Sequence, residues 1–333
     1  MLPKPSIYYA CSLPIRAGGE LVNFQHVASL RKQGWRAFVL LDPASRVAVP
    51  SQPYSVPMVH WGEHVAFSPD DWLVVPEVLP PESFEQLAKL PCRVVIHNQN
   101  PFYTFRGFVD IATLNAYRLA GGLCCSQFTR DTLLRWGSTT DWQVVRPMVL
   151  PHFAQAAKQA TPLLQIAYMP RKRPADAAAL KTLFRALFPQ HAQLPWVEIN
   201  DMTRPQVAQA LAQSRVFASL SRDEGLGLPP LEAMAAGCLV CGFDGGGGKE
   251  YATSDNGYWV AEGDMEGFAR ALHTALTLDA DAQAARVAAA QATAAAFSEA
   301  NFDSELASAW QHLLGPQAQS FQMPKVLSER GGA

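Results

Sequence analysis

Short apolar runs alternate with longer amphipathic segments along most of the chain. The first example is "SIYYACSL", followed by "GGELVNFQHVASLRKQG" and then "WRAFVLLD". A strand, a helix that ends at Gly34 and a second strand make a βαβ unit, whose two strands lie parallel. The same alternation predicts strands at "WLVVPE", "CRVVIHN" and "GGLCCS", with helices at "PESFEQLAKL" and "SQFTRDTLLRWG". The first half of the chain is therefore predicted to form a parallel sheet covered by helices.

The alternation lapses between Pro147 and Pro162, where the chain reads "PMVLPHFAQAAKQATP". The prolines and the lack of a clean period favour a domain boundary in this segment. Beyond it the alternation starts again, with strands predicted at "LLQIAYMP", "WVEIN", "VFASLS", "LVCGFD" and "YWVAEG" and helices at "ADAAALKTLFRALF", "RPQVAQALAQS" and "DMEGFARALHTAL". We predict domains over residues 1–150 and 151–300, a helix over 301–315 that could pack back on the first domain, and a mobile tail over 316–333.

Length and composition agree with two domains of this kind. A chain of 333 residues is longer than one hydrophobic core usually supports. With 49% hydrophobic and 17% charged residues, it has a balance that favours parallel sheets covered on both faces. The predicted fold class is therefore α/β, with two Rossmann-like doubly wound sheets. Ligands of such sheets bind beyond the carboxyl ends of the strands, so we expect the functional loops there, facing a cleft between the domains.

Charge, hydropathy and cysteine usage exclude several classes of protein. The formal net charge of −2 gives no reason to expect nucleic acid as a partner. The sequence shows no leader-like segment and no run of about 18 apolar residues, which predicts a cytoplasmic location, with the inner face of a membrane as the alternative. The six cysteines are spread through apolar segments and are interpreted as buried thiols. That interpretation includes the C-x-x-C of Cys238 and Cys241, for which a redox or metal role is the alternative.

The stretch "SRDEGLGLPPLEAMAAGC" holds two glutamates, Glu224 and Glu232, on either side of a turn. Gly225 and Gly227 permit a tight turn, and the two prolines after Leu228 suit the start of a helix. Glu224 should then lie on the loop and Glu232 in the first helical turn. Each carboxylate could accept hydrogen bonds from a vicinal diol, as a ribose clamp does. The alternative is that both are surface charges, one of which complements the helix dipole.

A longer segment, "SLSRDEGLGLPPLEAMAAGCLVCGFDGGGGKEY", resembles the Glu-x7-Glu signature region of a known family. The family is that of the GT-B fold retaining nucleotide-sugar glycosyltransferases, the glycosyl transferases group 1 type. The resemblance implies that Glu224 lies near the donor sugar with a catalytic role and that Glu232 binds the ribose. It also implies that the donor site is lined by Gly225, Gly227 and Leu228.

The Gly-rich loop "GFDGGGGKE" follows directly and precedes a predicted helix start. Its backbone N–H groups could surround an anion, which a helix N-terminus also favours. In the family the equivalent loop approaches the sugar and phosphates of the donor. The resemblance therefore assigns to the donor site Gly246, Gly247, Gly248, Lys249 and Glu250. Lys249 departs from the family pattern, and it either adds a phosphate contact or lies on the surface.

A basic loop, "YMPRKRPAD", follows the first strand of the second half. Fixed positive charge there could neutralise the negative charge that builds up on a departing diphosphate. The family similarly places an Arg and a Lys in this loop, with wider spacing. We assign these catalytic roles to Arg171 and Lys172 in preference to Arg173. A solvated basic turn is the alternative.

In the first half, polar residues follow two predicted strands. "RAGGE" contains Gly18 and Gly19, which by resemblance lie beside the donor phosphates. It is not a G-x-G-x-x-G, so a dinucleotide site is disfavoured. The strand end "VVIHNQNPFYTF" contains His97, and related enzymes often have a histidine at a similar place that touches the donor sugar; a packing role is the alternative. To the acceptor side we assign Asn98, Gln99 and Tyr103.

These residues and the resemblance together imply an enzyme. It would transfer a hexose or related sugar from a UDP- or GDP-sugar to an acceptor hydroxyl with retention of configuration, without a metal or other cofactor. The acceptor would be a glycan, a lipid-linked sugar or a protein in cell-surface glycan or glycoconjugate synthesis, with peripheral membrane association as an option. The alternatives are a nucleotide-sugar epimerase of the same fold and a catalytically silent nucleotide-sugar-binding partner of another transferase.

Overall fold

The computed structural model describes residues 5–11, 18–41, 54–62, 65–87, 89–117 and 119–321. Contacts divide the chain into two compact units. The first combines Met1–Cys125, Arg130–Val145 and Asp303–Ala333, and the second combines Ser126–Thr129 with Arg146–Phe302. The main division therefore falls between Val145 and Arg146, shortly before the boundary predicted at 150/151.

Within the described residues, the first unit holds a sheet of seven parallel strands. In chain order these are β1 (Ile7–Cys11), β2 (Ala37–Leu41), β3 (Met58–His60), β4 (Trp72–Pro76), β5 (Arg93–Asn98), β6 (Gly121–Cys124) and β7 (Trp142–Val144). They pair in the order β3-β2-β1-β4-β5-β6-β7, with Ile7 opposite both Ala37 and Trp72. The strand order changes direction between β1 and β4. This is the switch point beyond which ligands of doubly wound sheets bind.

The second unit holds five parallel strands in the part of the chain that the structure describes. They are β8 (Leu163–Tyr168), β9 (Trp196–Glu198), β10 (Ser214–Glu224), β11 (Leu239–Gly246) and β12 (Gly257–Trp259), in the order β12-β11-β10-β8-β9. Its core includes Ile166, Val216 and Leu239 from the strands, packed with Phe268 and Leu272. Because β8, β10 and β11 are neighbours, the residues that follow them gather at one edge of this sheet.

Helices cover both sheets. They are α1 (Gly18–Lys32), α2 (Pro81–Leu87), α3 (Thr104–Gly107), α4 (Ile111–Ala116), α5 (Gln127–Arg135), α6 (Pro151–Gln159), α7 (Pro174–Leu187), α8 (Arg204–Ala212), α9 (Leu228–Ala235), α10 (Met265–Thr277), α11 (Ala280–Ala295) and α12 (Glu299–Leu314). Proline stands in the first turn of α6, α7 and α9, where a backbone N–H would have no partner in the helix. The side chains of Asp264 and Asp279 cap α10 and α11 by accepting hydrogen bonds from backbone N–H groups in the first turn of each helix.

The C-terminal part of α12 packs within the first unit. Trp310 is fully buried, and its ring meets that of Trp72 edge-on with centroids 5.8 Å apart. Its indole N–H donates to the hydroxyl of Tyr9 at 3.0 Å. Asp303 accepts a hydrogen bond from Ser29 and pairs with Lys32 at 2.9 Å. These contacts join the end of the chain to β1, β4 and α1.

The first residues of the predicted mobile tail, 316–321, contact the first unit in this structure, and their mobility stays a prediction. Gly315–Phe321 forms a 3-10 turn, the ring of Phe321 is fully buried, and its carbonyl accepts from the Arg36 N–H at 2.9 Å. One buried aromatic side chain is enough to hold a short polar segment against the unit. The rest of the predicted tail, 322–333, lies outside the described residues.

The strands and helices predicted from the alternation are confirmed, whereas β3, β7, α3, α4 and α6 were missed. Helix α6 lies in the segment interpreted as a linker; it is a short amphipathic helix that buries Phe153, and it was missed because the prolines in and around it were interpreted as a break. The six cysteines are free and buried, as predicted. Cys241 lies within β11 and Cys238 directly before it, which confirms a strand with buried thiols at the C-x-x-C.

Candidate functional site

Glu224 lies at the carboxyl end of β10, paired in register with Gly246 of β11. The prediction placed it on a loop, but the strand continues past "VFASLS" after a register shift between Ser221 and Glu224. Asp223 within this shift has a φ of 48°, the left-handed region that aspartate tolerates better than most residues. Pairing with β11 therefore fixes the Glu224 backbone at the edge of the sheet.

Lys172 and Glu224 form an ion pair across this edge, with Nζ 2.8 Å from Oε1. The ammonium group also donates to the carbonyl of Arg222 at 3.2 Å. Both side chains are partly exposed, so the pair adds little to stability, about 0–1 kcal/mol. Its significance is positional, because it holds a cation and a carboxylate side by side at the carboxyl ends of β8 and β10.

The other two basic residues of the loop have different surroundings. Arg173 is buried; its guanidinium lies over the Phe243 ring, 4.8 Å from the centroid, and pairs with Asp176 and Glu262. Arg171 is exposed and makes no hydrogen bond or ion pair with the residues described. Arg173 is therefore engaged in contacts within the protein, whereas Arg171 is exposed and its binding of phosphate stays a prediction.

Side-chain hydroxyl groups donate hydrogen bonds to the backbone carbonyls of the turn that follows Glu224. The carbonyl of Gly225 accepts hydrogen bonds from Ser126 Oγ at 2.5 Å and from Thr129 Oγ1 at 3.1 Å. The Tyr251 hydroxyl donates to the carbonyl of Gly227 at 2.7 Å. Ser126 also accepts from the Thr129 N–H at 2.9 Å, as a helix cap does. Sequence reasoning gave Thr129 and Tyr251 no role, although Tyr251 ends the segment that carries the resemblance, because nothing in the sequence shows which carbonyl each hydroxyl reaches.

The helix after the turn begins earlier than predicted, at Leu228. Gly227 has a φ of 85°, which a helical residue cannot adopt, so the helix starts directly after it. Glu232 consequently lies in the second turn of α9 rather than the first. Gly237, with a φ of 89°, follows the end of the helix, as predicted.

Glu232 is a half-buried carboxylate without a partner. It makes no hydrogen bond or ion pair with any residue that the structure describes. Burial raises the pKa of its carboxyl to about 7, and the positive charge of Arg204 opposes this rise. A carboxylate held away from water without donors is ready to accept hydrogen bonds from a ligand that brings hydroxyl groups.

The Gly-rich loop packs directly against the turn after Glu224. A Cβ on Gly247 would lie 2.4 Å from the carbonyl carbon of Gly225, so only glycine allows this approach. The predicted helix start is wrong here, because Gly247–Glu250 forms a 3-10 turn after β11. The Gly246 N–H donates to Asp244 Oδ1 at 2.7 Å, so this amide already has an anionic partner. The donor-site role of Gly246, Gly247 and Gly248 stays a prediction.

The last two residues of the loop point to different neighbours. Glu250 Oε2 accepts from the Phe128 N–H at 3.3 Å, at the start of α5, where a carboxylate is favoured by the helix dipole. Lys249 is exposed and lines a polar cavity of about 460 Å³. The cavity is also lined by Arg222, Asp223, Asp244 and Glu262. Glu250 is thus engaged in the protein, while Lys249 faces solvent.

In the first unit, His97 is fully buried at the end of β5. Its Nδ1 lies 2.8 Å from Asn23 Oδ1; because that oxygen only accepts, Nδ1 carries the proton. Burial lowers the pKa of His97 to about 3, so the ring is neutral. Its Nε2 has no hydrogen-bond partner among the described residues. This arrangement leaves the buried Nε2 lone pair without a hydrogen bond from the described residues.

Gln99 links the His97 region to the start of α1. Its Nε2 donates to the carbonyl of Gly19 at 3.0 Å and approaches Asn23 Oδ1 at 3.5 Å. Gly18 borders open space, since a Cβ there would meet no atom within 4 Å apart from its chain neighbours and its own helix backbone. The structure thus brings Gly18, Gly19, His97 and Gln99 to one edge of the first sheet. Arg16 of "RAGGE" lies outside the described residues.

The remaining acceptor-side residues are held by their neighbours. Asn98 is fully buried and donates to Thr104 Oγ1 at 2.6 Å, while its Oδ1 has no hydrogen-bond partner in the described part of the chain. The ring of Tyr103 lies under the guanidinium of Arg106, 3.8 Å away. Sequence reasoning missed the buried Glu77, whose signal was an acidic residue placed directly after the apolar strand "WLVVP".

The described residues contain no group of three or more His, Cys, Asp or Glu side chains that could hold a metal ion. None of the helices in the described ranges is both long and apolar enough to cross a membrane.

Known structures and sequences resemble this arrangement. HepE from Anabaena, solved in complex with UDP and glucose, superposes with a TM-score of 0.66 over 92% of this chain and 100% of its own, at 15% identity. Sucrose-phosphate synthase from Thermosynechococcus elongatus gives a TM-score of 0.68 over 93% of this chain and 99% of its own, at 12% identity. These likenesses show that the two parallel-sheet units form a GT-B fold.

Sequence comparison adds the family. Residues 199–292 match the family of glycosyl transferases group 1. An alpha-1,6-glucosyltransferase from Actinobacillus pleuropneumoniae serotype 7 (strain AP76) is 34% identical over 258 residues, which cover 76% of this chain and 78% of the relative. The chain therefore belongs to the group 1 glycosyltransferases, and it is an enzyme of the transferase class.

Proposed function

We propose that the enzyme transfers glucose from UDP-glucose to a hydroxyl of a glycan acceptor, with retention of configuration and without a metal ion. The observation that carries this proposal is the edge of the second sheet: the Lys172–Glu224 ion pair lies at the carboxyl ends of β8 and β10, and Glu232, which makes no hydrogen bond or ion pair with the described residues, lies in the following helix, α9. UDP and glucose are the ligands named for the HepE structures. The Actinobacillus relative is named as an alpha-1,6-glucosyltransferase, which favours a primary sugar hydroxyl as the acceptor.

The donor would be held through charge and hydrogen bonds. Glu232 accepts hydrogen bonds from the ribose hydroxyls, since its carboxylate accepts none from the part of the chain that the structure describes. Arg171 and Lys172 neutralise the diphosphate, whose negative charge grows as the bond to the sugar breaks. Glu224 contacts the sugar, because its pairing with Lys172 places the carboxylate beside the phosphate-binding cation.

The reaction would proceed by front-side attack. The acceptor oxygen bonds to the anomeric carbon on the face that the diphosphate leaves, and the bond between that carbon and the diphosphate oxygen breaks. The acceptor proton passes to the departing phosphate oxygen. No separate base is required, and the enzyme contributes by positioning the two substrates and by electrostatic stabilisation. Synthesis of a surface glycan or glycoconjugate is the biological setting that this acceptor class favours.

Substitution of Glu224 by Ala tests the assignment. We expect transfer to fall by at least about 100-fold, comparable to removal of one transition-state contact, with an unchanged melting temperature. Release of UDP and the anomeric configuration of the product by NMR are the readouts. Glu266→Ala is the matched control, because Glu266 is an exposed carboxylate paired with Arg270 on α10.

Three outcomes would contradict the proposal. Near-normal turnover by Glu224→Ala would remove Glu224 from the catalytic residues. A product with inverted configuration would exclude front-side attack, and conversion of UDP-glucose to another nucleotide sugar without an acceptor would favour an epimerase.

A further inference from the structure

Glu77 is a buried carboxylate outside the residues assigned above. It follows β4 directly and is only 4% exposed. Its carboxylate accepts hydrogen bonds from the backbone N–H groups of Gln99 and Asn100 and from its own N–H. A buried carboxylate that binds the backbone of a neighbouring strand end fixes the course of the chain beyond that strand.

The segment that Glu77 holds is the acceptor-side turn, residues 98–103. Asn100 caps its 3-10 turn, accepting from the Phe102 N–H at 3.0 Å through its side chain. The Gln99 side chain reaches the Gly19 carbonyl at 3.0 Å. Glu77 therefore binds the amides of both residues: Asn100, which caps the turn, and Gln99, which connects the turn to α1.

Helix α3 packs against the same point. A Cβ on Gly107 would lie 2.5 Å from the Glu77 carbonyl oxygen, so glycine is needed for the approach. Burial raises the pKa of the Glu77 carboxyl to about 7, while the hydrogen bonds from the backbone N–H groups and, less strongly, the positive charge of Arg106 lower it. The ionised and protonated forms are thus both accessible near neutral pH.

We propose that Glu77 is a positioning residue that holds the acceptor-side turn through its ionised carboxylate, so that acceptor use weakens when Glu77 takes up a proton. The inference rests on the proposed function, which assigns the acceptor to Asn98, Gln99 and Tyr103. An ionised carboxylate makes stronger hydrogen bonds to backbone N–H groups than a protonated carboxyl does. Protonation therefore loosens the turn without unfolding the unit, because it also relieves the cost of a buried charge.

Hydrogen–deuterium exchange of the full chain tests the geometry without any substrate. We expect the Gln99 and Asn100 amides, after correction for intrinsic exchange, to be about tenfold less protected at about pH 6 than at about pH 8, the change in ionised fraction of a group that titrates near 7. Glu77→Gln should remove this pH dependence. Glu82→Gln, an exposed carboxylate on α2, should behave as the wild type.

A second variant keeps the test decisive if Glu77→Gln fails to fold. Arg106→Met removes the attraction that lowers the Glu77 pKa, so the midpoint of protection should move to higher pH. An unmoved midpoint, or pH-dependent protection that persists in a folded Glu77→Gln variant, would overturn the proposal.

Kinetics complete the test. In the wild type the KM for the acceptor should be several-fold higher at about pH 6 than at about pH 8. The KM for UDP-glucose should show the same pH dependence in the wild type and in the Glu77→Gln variant. A parallel rise in both constants would contradict a role confined to the acceptor turn. If the wild type transfers no sugar at all, the proposed function fails, yet the exchange experiment still decides the role of Glu77.

Discussion

Glu224 and Glu232 belong to one motif but have different surroundings. Glu224 is paired with Lys172 at 2.8 Å and partly exposed, whereas Glu232 is half-buried without a partner among the described residues, and burial raises its pKa to about 7. The raised pKa means that the folded protein binds a proton at Glu232 more tightly than the unfolded chain does. The free energy of unfolding therefore falls as the pH rises from the ordinary glutamate pKa of 4.5 to about 7, because ionisation of Glu232 costs more in the folded state.

Donor affinity should show the opposite dependence. A ribose diol donates to the ionised form, so UDP-glucose should bind about tenfold more tightly at about pH 8 than at about pH 6, as expected for one group that titrates near 7. Isothermal titration calorimetry with UDP-glucose measures this, since its diphosphate keeps its charge across the range. Glu232→Gln should bind weakly at both values. An equally steep dependence in that variant would exclude Glu232 as the group responsible.

At the scale of elements, the turn between β10 and α9 is held by side chains distant in sequence. Ser126 and Thr129 bind the Gly225 carbonyl, and Tyr251 binds that of Gly227. Gly247 packs on the same peptide. The Gly-rich sequence makes the turn flexible, and these partners select one conformation of it. The position of Glu224 relative to Glu232 therefore depends on α5 and on the Gly-rich loop.

The two hydroxyl donors can be separated by mutation. Ser126→Ala should have a modest effect because Thr129 still donates to Gly225, whereas the Ser126→Ala/Thr129→Val double variant leaves a buried carbonyl unpaired. We expect the double variant to lose about 1–3 kcal/mol of unfolding free energy and most of its transfer activity. Urea denaturation and UDP release measure the two effects. Thr182→Val, which removes an exposed hydroxyl on α7, is the control; strictly additive, equal effects of the two single variants would contradict the shared role.

At the scale of the whole molecule, the two units have separate cores that are built from different parts of the chain. The second unit is continuous apart from Ser126–Thr129, while the first takes in the last part of the chain. Trp310 joins that part to Tyr9 and Trp72. The integrity of the first sheet therefore depends on residues more than two hundred positions away in sequence.

Loss of Trp310 should affect the first unit selectively. Trp310→Ala leaves a large cavity, and we expect a cost of about 3–5 kcal/mol, visible as lost exchange protection in β1 and β4. Protection in β10 and β11 should change little, because Trp310 lies in the first unit and the apolar cluster on one face of these two strands contains no residue of α12. Trp310→Phe, which keeps an aromatic ring but loses the N–H donor, should cost less. Equal loss of protection in both sheets would contradict this prediction.

Much of the fold could be predicted from the sequence, because a parallel strand that is buried on both faces consists of consecutive apolar residues. "WLVVP" and "LVCGF" show this. Helix α6 was missed because proline at its start, and further prolines on both sides, also suit a linker. Among the candidate site residues, the motif located Glu224 and Glu232. It could not locate Glu77, Thr129 or Tyr251, whose roles depend on what folding brings beside them.

The sequence by itself determined the fold class, the succession of strands and helices along the chain and the loops that carry polar and charged residues, since these depend on local periodicity and on residue type. Only the tertiary structure decided that Arg173 is engaged in contacts within the protein and Lys172 is paired with Glu224. It also decided that Glu232 has no partner among the described residues and that a proton is held on His97 Nδ1. Charge pairing and desolvation depend on distances between segments far apart in sequence, and the order of residues alone does not specify those distances.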